Sequence, residues 1–205
     1  MILPGLDPGA IDRAVQTLAL GQLLGLPTET VYGLAADALR DDAVARIFVA
    51  KGRPPDHPLI VHVASTTQVP LFASQVPDFA QRLMDAFWPG PLTLILPRRA
   101  GVAKTAAGGQ DSIGLRCPSH PVAQALMRAF GRGLAAPSAN RFGRVSPSTA
   151  AHVRDEFGDA LMVLDGGACE IGIESTIVDC TRGAPVLLRP GQITPSQIEA
   201  ACGQA

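Results

Sequence analysis

Apolar positions along this chain recur at two spacings, and the change from one to the other predicts helices that alternate with strands. From Asp7 and Pro8 to residue 24 the spacing is helical, with Asp7 as the N-cap and Pro8 in the first turn. Ser146 and Pro147 look like the start of another helix, and Thr194 like the cap of the last. Helical spacing also predicts helices over 41–52, which Gly52 would close, and over 76–88, 120–131, 147–159 and 194–202.

Short apolar runs between these segments predict strands. A strand that is buried on both faces is a near-continuous apolar run, as in the sequence PLIVHV. The pattern predicts a short strand that runs into 27–37, and strands over 58–63, 91–97, 132–138, 160–167, 174–180 and 185–191. Because no repeat or linker interrupts the pattern, we predict one α/β domain over residues 1–205, with a mixed twisted sheet flanked by helices.

Composition narrows the class of protein. A chain of 205 residues can bury roughly 70% of its unfolded surface, and with 47% hydrophobic but only 4% aromatic residues the core must be mainly aliphatic. The cysteines, at 117, 169, 180 and 202, form no CxxC pair, which favours reduced and mostly buried thiols. The N-terminus has no basic leader, and no apolar run approaches the ~18 residues of a membrane span. We therefore expect a cytoplasmic protein without a membrane partner.

Charge is distributed unevenly although the net charge is only −1. Residues 98–144 contain eight basic side chains and one acidic side chain, a local charge of +7, whereas residues 145–205 contain three basic and eight acidic ones, a local charge of −5. A basic segment within an otherwise acidic chain indicates one anion-binding face, for which nucleotide and RNA are the candidate ligands. We count tRNA contact at 98–144 among the possibilities.

Two polar elements about 85 residues apart carry the chemistry. Lys51 and Arg53 lie in KGRPPDHPL, and Ser138 and Asn140 lie in APSANRFGRVSPS. Each element is Pro-rich and adjoins an apolar run, so its side chains should cluster at the end of a strand. Arginine offers a planar fork of donors, lysine a compact charge, and Ser and Asn neutral donors, a set that suits phosphate oxygens.

Other familiar chemistry is missing from the sequence. There is no Walker A loop and no GxGxxG motif, and no arrangement resembles a Cys-His or Ser-His-Asp set. His57 and His62 are five residues apart, which is not a helical metal-binding spacing, so we predict no metal ligand among the protein side chains.

Seven segments occur in an order that closely resembles the YrdC-type threonylcarbamoyl-AMP synthase family, from about residue 8 to residue 200. They are PTETVYGLAAD, KGRPPDHPLIVHV, FWPGPLTLILP, IGLRCPSHP, APSANRFGRVSPS, IESTIVDC and LLRPGQI. The resemblance includes the family's paired KxR and SxN signature. It implies the YrdC-like fold with a concave basic face, in the short single-domain form.

The resemblance also implies an activity. L-Threonine, bicarbonate and ATP, the last with a bound Mg²⁺, would give threonylcarbamoyl-AMP and pyrophosphate. Proteins that transfer the threonylcarbamoyl group would then use this adenylate to modify an adenosine beside the anticodon of tRNA. Because such phosphoryl chemistry depends mainly on positioning and charge neutralisation, a site of cations and hydroxyls is chemically sensible.

Site residues follow from the resemblance, position by position. The ATP set is Lys51, Arg53, His57, Ser112, Asn140, Ser148 and Arg189. The threonine set is Thr30, His62, Arg116, Ser138 and Ser175. The catalytic residues would be Lys51, Arg53, Ser138 and Asn140. Arg116 is the natural bidentate partner for the carboxylate of threonine.

Several alternatives remain open at this point. Arg116 follows Ile113 and Leu115 at alternate positions, so it could also occupy the exposed face of a strand, and His62 could be a hydrogen-bonded core histidine. His57 stands where the family usually has Asn. The chain could instead be a non-enzymatic RNA-binding module, or a paralogous synthase of the same fold with another substrate. Few aromatic residues accompany its basic segments, which disfavours the RNA module.

Overall fold

Ten strands pair into one sheet within residues 1–203, the part of the chain that the computed structural model describes. The strands are β1 (Ile2–Pro4), β2 (Leu24–Leu26), β3 (Gly33–Asp37), β4 (Ile60–His62), β5 (Leu92–Pro97), β6 (Ser112–Arg116), β7 (Leu134–Ala135), β8 (Met162–Asp165), β9 (Thr176–Asp179) and β10 (Val186–Arg189). They lie in the order β1-β8-β2-β3-β7-β4-β6-β5-β9-β10. The sheet contains both parallel pairs, such as β4 with β6, and antiparallel pairs, such as β5 with β6. The predicted mixed α/β sheet is confirmed.

Helices cover this sheet within the same residues. They are α1 (Pro8–Ala19), α2 (Asp41–Lys51), α3 (Val69–Phe72), α4 (Asp78–Phe87), α5 (Pro121–Phe130), α6 (Ala150–Phe157) and α7 (Pro195–Cys202), with a 3₁₀ turn at Thr66–Gln68. Asp7 caps α1 by accepting from the Ala10 amide, and α7 begins with a reciprocal capping box between Thr194 and Gln197. Both caps match the sequence prediction.

Two layers of side chains form the core on opposite faces of the sheet. In β3, Leu34 and Ala36 point into a cluster shared with α2, α4 and α7, whereas Ala35 points into one shared with α1 and α5. This alternation is the period of a strand buried on both faces. Each fully buried leucine contributes about 1.5–3 kcal/mol to the free energy of unfolding. The central strands are therefore firmly held, and their ends can carry polar side chains.

The start of α6 differs from the prediction. The helix begins at Ala150 after the cap Thr149, not at Ser146 and Pro147. The reason is that these residues have other partners: the Pro147 carbonyl accepts from the Tyr32 amide at 2.9 Å, and the Ser146 hydroxyl donates to Glu174 at 2.8 Å. Residues 141–148 are consequently a loop beside the ends of β3 and β7.

None of the helices in the described part of the chain is long and apolar enough to cross a membrane. Three of the four cysteines, Cys117, Cys180 and Cys202, are buried, in agreement with the sequence expectation.

Candidate active site

Lys51, the last residue of α2, joins the two polar elements that the sequence singles out. Its ammonium group donates to the carbonyl of Ser138 at 2.5 Å and also to the carbonyl of Asn140. The chain turns away directly afterwards, because Gly52 adopts the left-handed conformation with φ of 63°. An ammonium group has three N–H donors, so one remains for a ligand.

The electrostatics of Lys51 are those of a buried cation beside another cation. Burial, and then the neighbouring Arg53, lower the pKa of Lys51 to about 8, against the opposing effect of Glu174 and Glu156. Burial also lowers the pKa of Arg53, again opposed by Glu174. A bound anion would favour the charged form of both groups and so raise both pKa values.

Arg53 and His57 both contact the ring of Phe142. The Arg53 guanidinium donates to the Pro58 carbonyl at 3.1 Å and lies 5.7 Å from the centroid of the Phe142 ring. The His57 ring is edge-on to Phe142, with centroids 5.6 Å apart. Phe142 is 47% exposed, and its amide donates to the Lys51 carbonyl at 2.8 Å. A partly open aromatic surface therefore adjoins the two cations.

Asn140 is held in a fixed orientation. Its side-chain amide donates to the carbonyls of Arg141 and Arg144, both at 2.8 Å. The side-chain oxygen of Asn140 is buried and has no partner. Because a buried acceptor without a donor is costly, this atom marks a place where a ligand donor would bind.

Arg116 lies at the end of β6 and is buried, not on an exposed strand face. It donates to Glu29 at 2.7 Å, to the Thr30 hydroxyl at 2.8 Å and to the Gly90 carbonyl at 3.3 Å. The side chain is buried because β6 lies between β4 and β5, and both cover its end. Three of its five donors are occupied, which leaves two for a carboxylate.

Glu29 is a buried partner of Arg116 that the sequence analysis did not single out. Its second oxygen accepts from the Ser119 amide at 3.1 Å, so both oxygens are used within the protein. The available signal was an acidic residue between two threonines in a short apolar turn, PTETVY. Such a residue needs a buried partner, but the sequence does not show that the partner is Arg116.

His62 ends β4 directly beside Arg116, its register partner on β6. The ring is buried, and its Nδ1 atom has no hydrogen-bond partner. Burial, and then the charge of Arg116, lower the pKa of His62 to about 3. The imidazole is therefore neutral at physiological pH and can exchange one hydrogen bond with a ligand without adding charge.

A small pocket lies between these strand ends. Its lining includes His62, Arg116, Ser138, Glu174 and Ser175, together with Thr28, Val31, Gly33, Ile60, Ala136 and Pro137. Four of the five residues predicted to bind threonine thus share one pocket. The fifth, Thr30, is not among the lining residues, and its hydroxyl accepts from Arg116. A wider cleft of about 890 Å³, lined by Leu3, His120 and Asp165 among others, contains none of the predicted site residues.

Arg189 lies beside this pocket and contacts two of its lining residues. It donates to the Ser175 carbonyl at 2.9 Å and the Ser175 hydroxyl at 3.0 Å, and it pairs with Glu174 at 3.1 Å. Ser175 in turn shares a hydrogen bond of 2.7 Å with Thr93. Burial lowers the pKa of Arg189, against the opposing charge of Glu174.

Ser112 and Ser148 lie further from these contacts. Ser112 begins β6, about 13 Å along the strand from Arg116 at the other end. Ser148 is partly buried just before α6, and its carbonyl accepts from the Cys169 amide at 2.8 Å. Their roles stay predictions, as does the role of His57.

Across residues 1–203, no three His, Cys, Asp or Glu side chains are grouped in a way that could hold a metal ion. The cations, hydroxyls and amides of the site suit anionic oxygen atoms.

The fold and the site together define an α/β protein with a cationic cluster, formed by Lys51 and Arg53, beside a small polar pocket. The sequence matches the Sua5/YciO/YrdC family model, described as telomere recombination, over residues 16–191, and the chain belongs to this family. The predicted family is confirmed.

Relatives of known name align with most of this chain. The threonylcarbamoyl-AMP synthase of Pyrococcus abyssi is 48% identical over 185 residues, which cover 90% of this chain and 54% of that protein. The synthase of Bacillus subtilis is 46% identical over 199 residues, which cover 96% of this chain and 57% of that protein. The chain thus spans about half the length of these relatives.

A solved structure supports the same assignment of fold. The crystal structure of P. abyssi Sua5 complexed with L-threonine has a TM-score of 0.96 to this chain at 44% identity, covering 100% of this chain and 61% of that one.

Proposed function

We propose that this chain synthesises L-threonylcarbamoyl-AMP from L-threonine, bicarbonate and ATP, with release of pyrophosphate. The observation that carries the proposal is a small polar pocket, lined by Arg116 and His62, with cations beside it: Lys51 contacts its lining residue Ser138, and Arg189 contacts its lining residue Glu174. The relatives named threonylcarbamoyl-AMP synthase support the same reaction, and they do not support a non-enzymatic RNA-binding module.

ATP would bind along the cationic side of the site. Lys51, Arg53 and Arg189 would contact the triphosphate, whose charge offsets the unfavourable burial of these cations. The unpaired oxygen of Asn140 would accept a hydrogen bond from the nucleotide. His57, Ser112 and Ser148 complete the proposed ATP set, and Mg²⁺ would arrive bound to the triphosphate as part of the substrate.

Threonine would occupy the small pocket. Its carboxylate would take the two free donors of Arg116, which Glu29 and Thr30 hold in place. Ser138, Ser175 and the neutral His62 line the remaining space and can form hydrogen bonds with the threonine hydroxyl. This arrangement would leave the amine of threonine facing the cationic side.

The reaction then needs two displacements. The ammonium group of threonine first loses one proton to solvent. The neutral amine then attacks the carbon of bicarbonate and water leaves, which forms a carbamate. A carbamate oxygen attacks the α-phosphorus of ATP, and pyrophosphate leaves with the electron pair of the broken P–O bond. Lys51, Arg53, Ser138 and Asn140 would act here by holding the phosphates in line and neutralising developing charge, which is the main requirement of phosphoryl transfer.

Pyrophosphate release tests this proposal. With ATP and bicarbonate present, release should require L-threonine and should stop when threonine is omitted. A paralogous synthase would release pyrophosphate with another acceptor instead of threonine, and an RNA-binding module would release none. Either result would overturn the proposal.

The cellular setting is proposed on the same basis. The adenylate would pass to threonylcarbamoyl-transfer proteins that modify tRNA, in the cytoplasm, and residues 98–144 stay the candidate segment for direct tRNA contact. We propose one YrdC-like domain over residues 1–205, and all the site residues named above lie within it.

A further inference from the structure

The small pocket contains one acidic side chain that the reaction described above does not use. Among its lining residues, all within the described part of the chain, Glu174 alone is acidic and Arg116 alone is permanently basic. A pocket with one charge of each sign matches an amino-acid zwitterion.

Glu174 lies at the border between the pocket and the cationic cluster. One of its oxygens pairs with Arg189 at 3.1 Å, and the other accepts from the Ser146 hydroxyl at 2.8 Å. Its charge also acts on Lys51 and Arg53. In the absence of ligands, Glu174 thus supplies the negative charge that a triphosphate would otherwise bring.

The other groups near the pocket are poorly suited to bind an ammonium group. Both oxygens of Glu29 are used by Arg116 and the Ser119 amide, and Glu29 does not line the pocket. His62 is neutral and adjoins the charge of Arg116. Hydroxyl groups offer hydrogen bonds but no countercharge.

We propose that Glu174 binds the α-ammonium group of threonine, and that nucleotide binding releases Glu174 for this role by drawing Arg189 towards the triphosphate. This inference rests on the proposed function. The triphosphate competes with Glu174 for the positive charge of Arg189, so it weakens the contact between Arg189 and Glu174. Nucleotide and threonine should therefore bind cooperatively, and each should raise the affinity of the other by the same factor.

Calorimetry with two matched ligands tests the contact. One ligand is L-threonine, and the other is 2,3-dihydroxybutanoate of the same configuration, in which a hydroxyl group replaces the amine. With α,β-methylene-ATP present, Glu174→Gln should weaken threonine binding by about 10- to 100-fold and change binding of the hydroxy acid by less than about threefold. Glu170→Gln, the same change at an exposed position four residues earlier, should leave both affinities as in the wild type.

Threonine binding measured with and without a nucleotide tests the release of Glu174 from Arg189. With α,β-methylene-ATP present, threonine affinity should rise at least about fivefold in the wild type and should stay unchanged in Glu174→Gln. Binding of α,β-methylene-ATP to the variant also shows that it is folded. Glu174→Asp keeps the charge and should retain the preference for threonine over the hydroxy acid, which tests the contact independently if the glutamine variant does not fold.

The outcomes separate this inference from the proposed function. If wild type binds no threonine, the proposed function fails. If wild type binds threonine but Glu174→Gln binds it equally well, or loses both ligands equally, Glu174 is not the ammonium partner. Weaker binding of α,β-methylene-ATP to the variant with unchanged threonine affinity would assign Glu174 to the nucleotide and overturn the inference.

Discussion

The ammonium nitrogen of Lys51 lies 2.5 Å from the backbone carbonyl oxygen of Ser138, 87 residues further along the chain. This hydrogen bond connects the end of α2 to the loop after β7, so the two motifs of the sequence form one structure. It also holds a positive charge where burial has already lowered the pKa of Lys51 to about 8. The contact makes Lys51 both a support for the loop and a candidate phosphate ligand.

Removing either cation of the first motif should impair the use of nucleotide. Lys51→Ala and Arg53→Ala each delete a charge-assisted contact worth roughly 1.5–3 kcal/mol, or about 10- to 150-fold in ATP affinity or threonine-dependent turnover. Pyrophosphate release measures the effect, with the exposed Lys104→Ala as the control. Rates within twofold of wild type in both variants would remove these residues from the site.

ATP affinity should fall as the pH rises above about 8. The pKa of Lys51 is about 8 without ligand, and a triphosphate favours the charged amine, so its pKa should be higher in the complex. Above pH 8 the complex thus holds more protons than the free protein, and binding takes up a proton. Below about pH 7 the amine is charged in both states, and Lys51 adds no pH dependence.

Calorimetry between pH 7.5 and 9.5 would measure this slope, and buffers of different ionisation enthalpy would report the proton uptake. Lys51→Met has no amine to titrate and should show a flatter profile. Identical slopes in wild type and Lys51→Met would show that Lys51 does not respond to the nucleotide.

Local signals predicted the fold well where a single residue sets the backbone. Asp7 and Thr194 are the N-caps of α1 and α7, and Gly52 ends α2 in the left-handed conformation, all as predicted. The α6 start was missed because the alternative partners of Ser146 and Pro147 come from Glu174 and Tyr32, distant in sequence. A cap preference of about 1 kcal/mol is easily outweighed by such contacts.

β6 and β1 were not assigned as strands from the sequence. The polar residue and the glycine in Ser-Ile-Gly-Leu-Arg break the apolar run, and only pairing with β4 and β5 holds this segment extended. β1 has three residues and pairs in parallel with β8, some 160 residues away. Neither partner can be read from local periodicity.

The candidate site shows the same division. Residue types and the family resemblance predicted one threonine-binding set that includes Arg116, His62, Ser138 and Ser175. In the structure all four line one pocket. Glu29 and Glu174 could not be predicted as members, because acidic residues are common and their significance depends on which cation each one meets. The contacts with Arg116 and Arg189 are tertiary and become visible only in the structure.

Loss of Glu29 should destabilise the protein and the pocket together. Glu29→Ala would leave the buried Arg116 without its countercharge, at a cost of about 3–5 kcal/mol in the free energy of unfolding. Urea denaturation measures this change, and Glu170→Ala is the control at an exposed carboxylate. A loss below 1 kcal/mol would mean that Arg116 finds another partner, and threonine affinity should then be unaffected.

The pocket should select threonine over its nearest analogues. Serine lacks one methyl group and should bind more weakly by about 1 kcal/mol, or roughly fivefold. Valine would leave the hydrogen-bonding groups of Ser138, Ser175 or His62 without a partner and should lose more. Competition binding gives the order, and valine binding as tightly as threonine would show that the pocket serves another ligand.

The central claim is that one site joins threonine, bicarbonate and ATP. Its most direct test follows ¹³C-bicarbonate by mass spectrometry in a reaction with L-threonine, ATP and Mg²⁺. We predict an adenylate that contains one ¹³C atom and threonine, formed in step with pyrophosphate and absent without threonine. Pyrophosphate release without threonine, or an adenylate that carries no label from bicarbonate, would contradict the account.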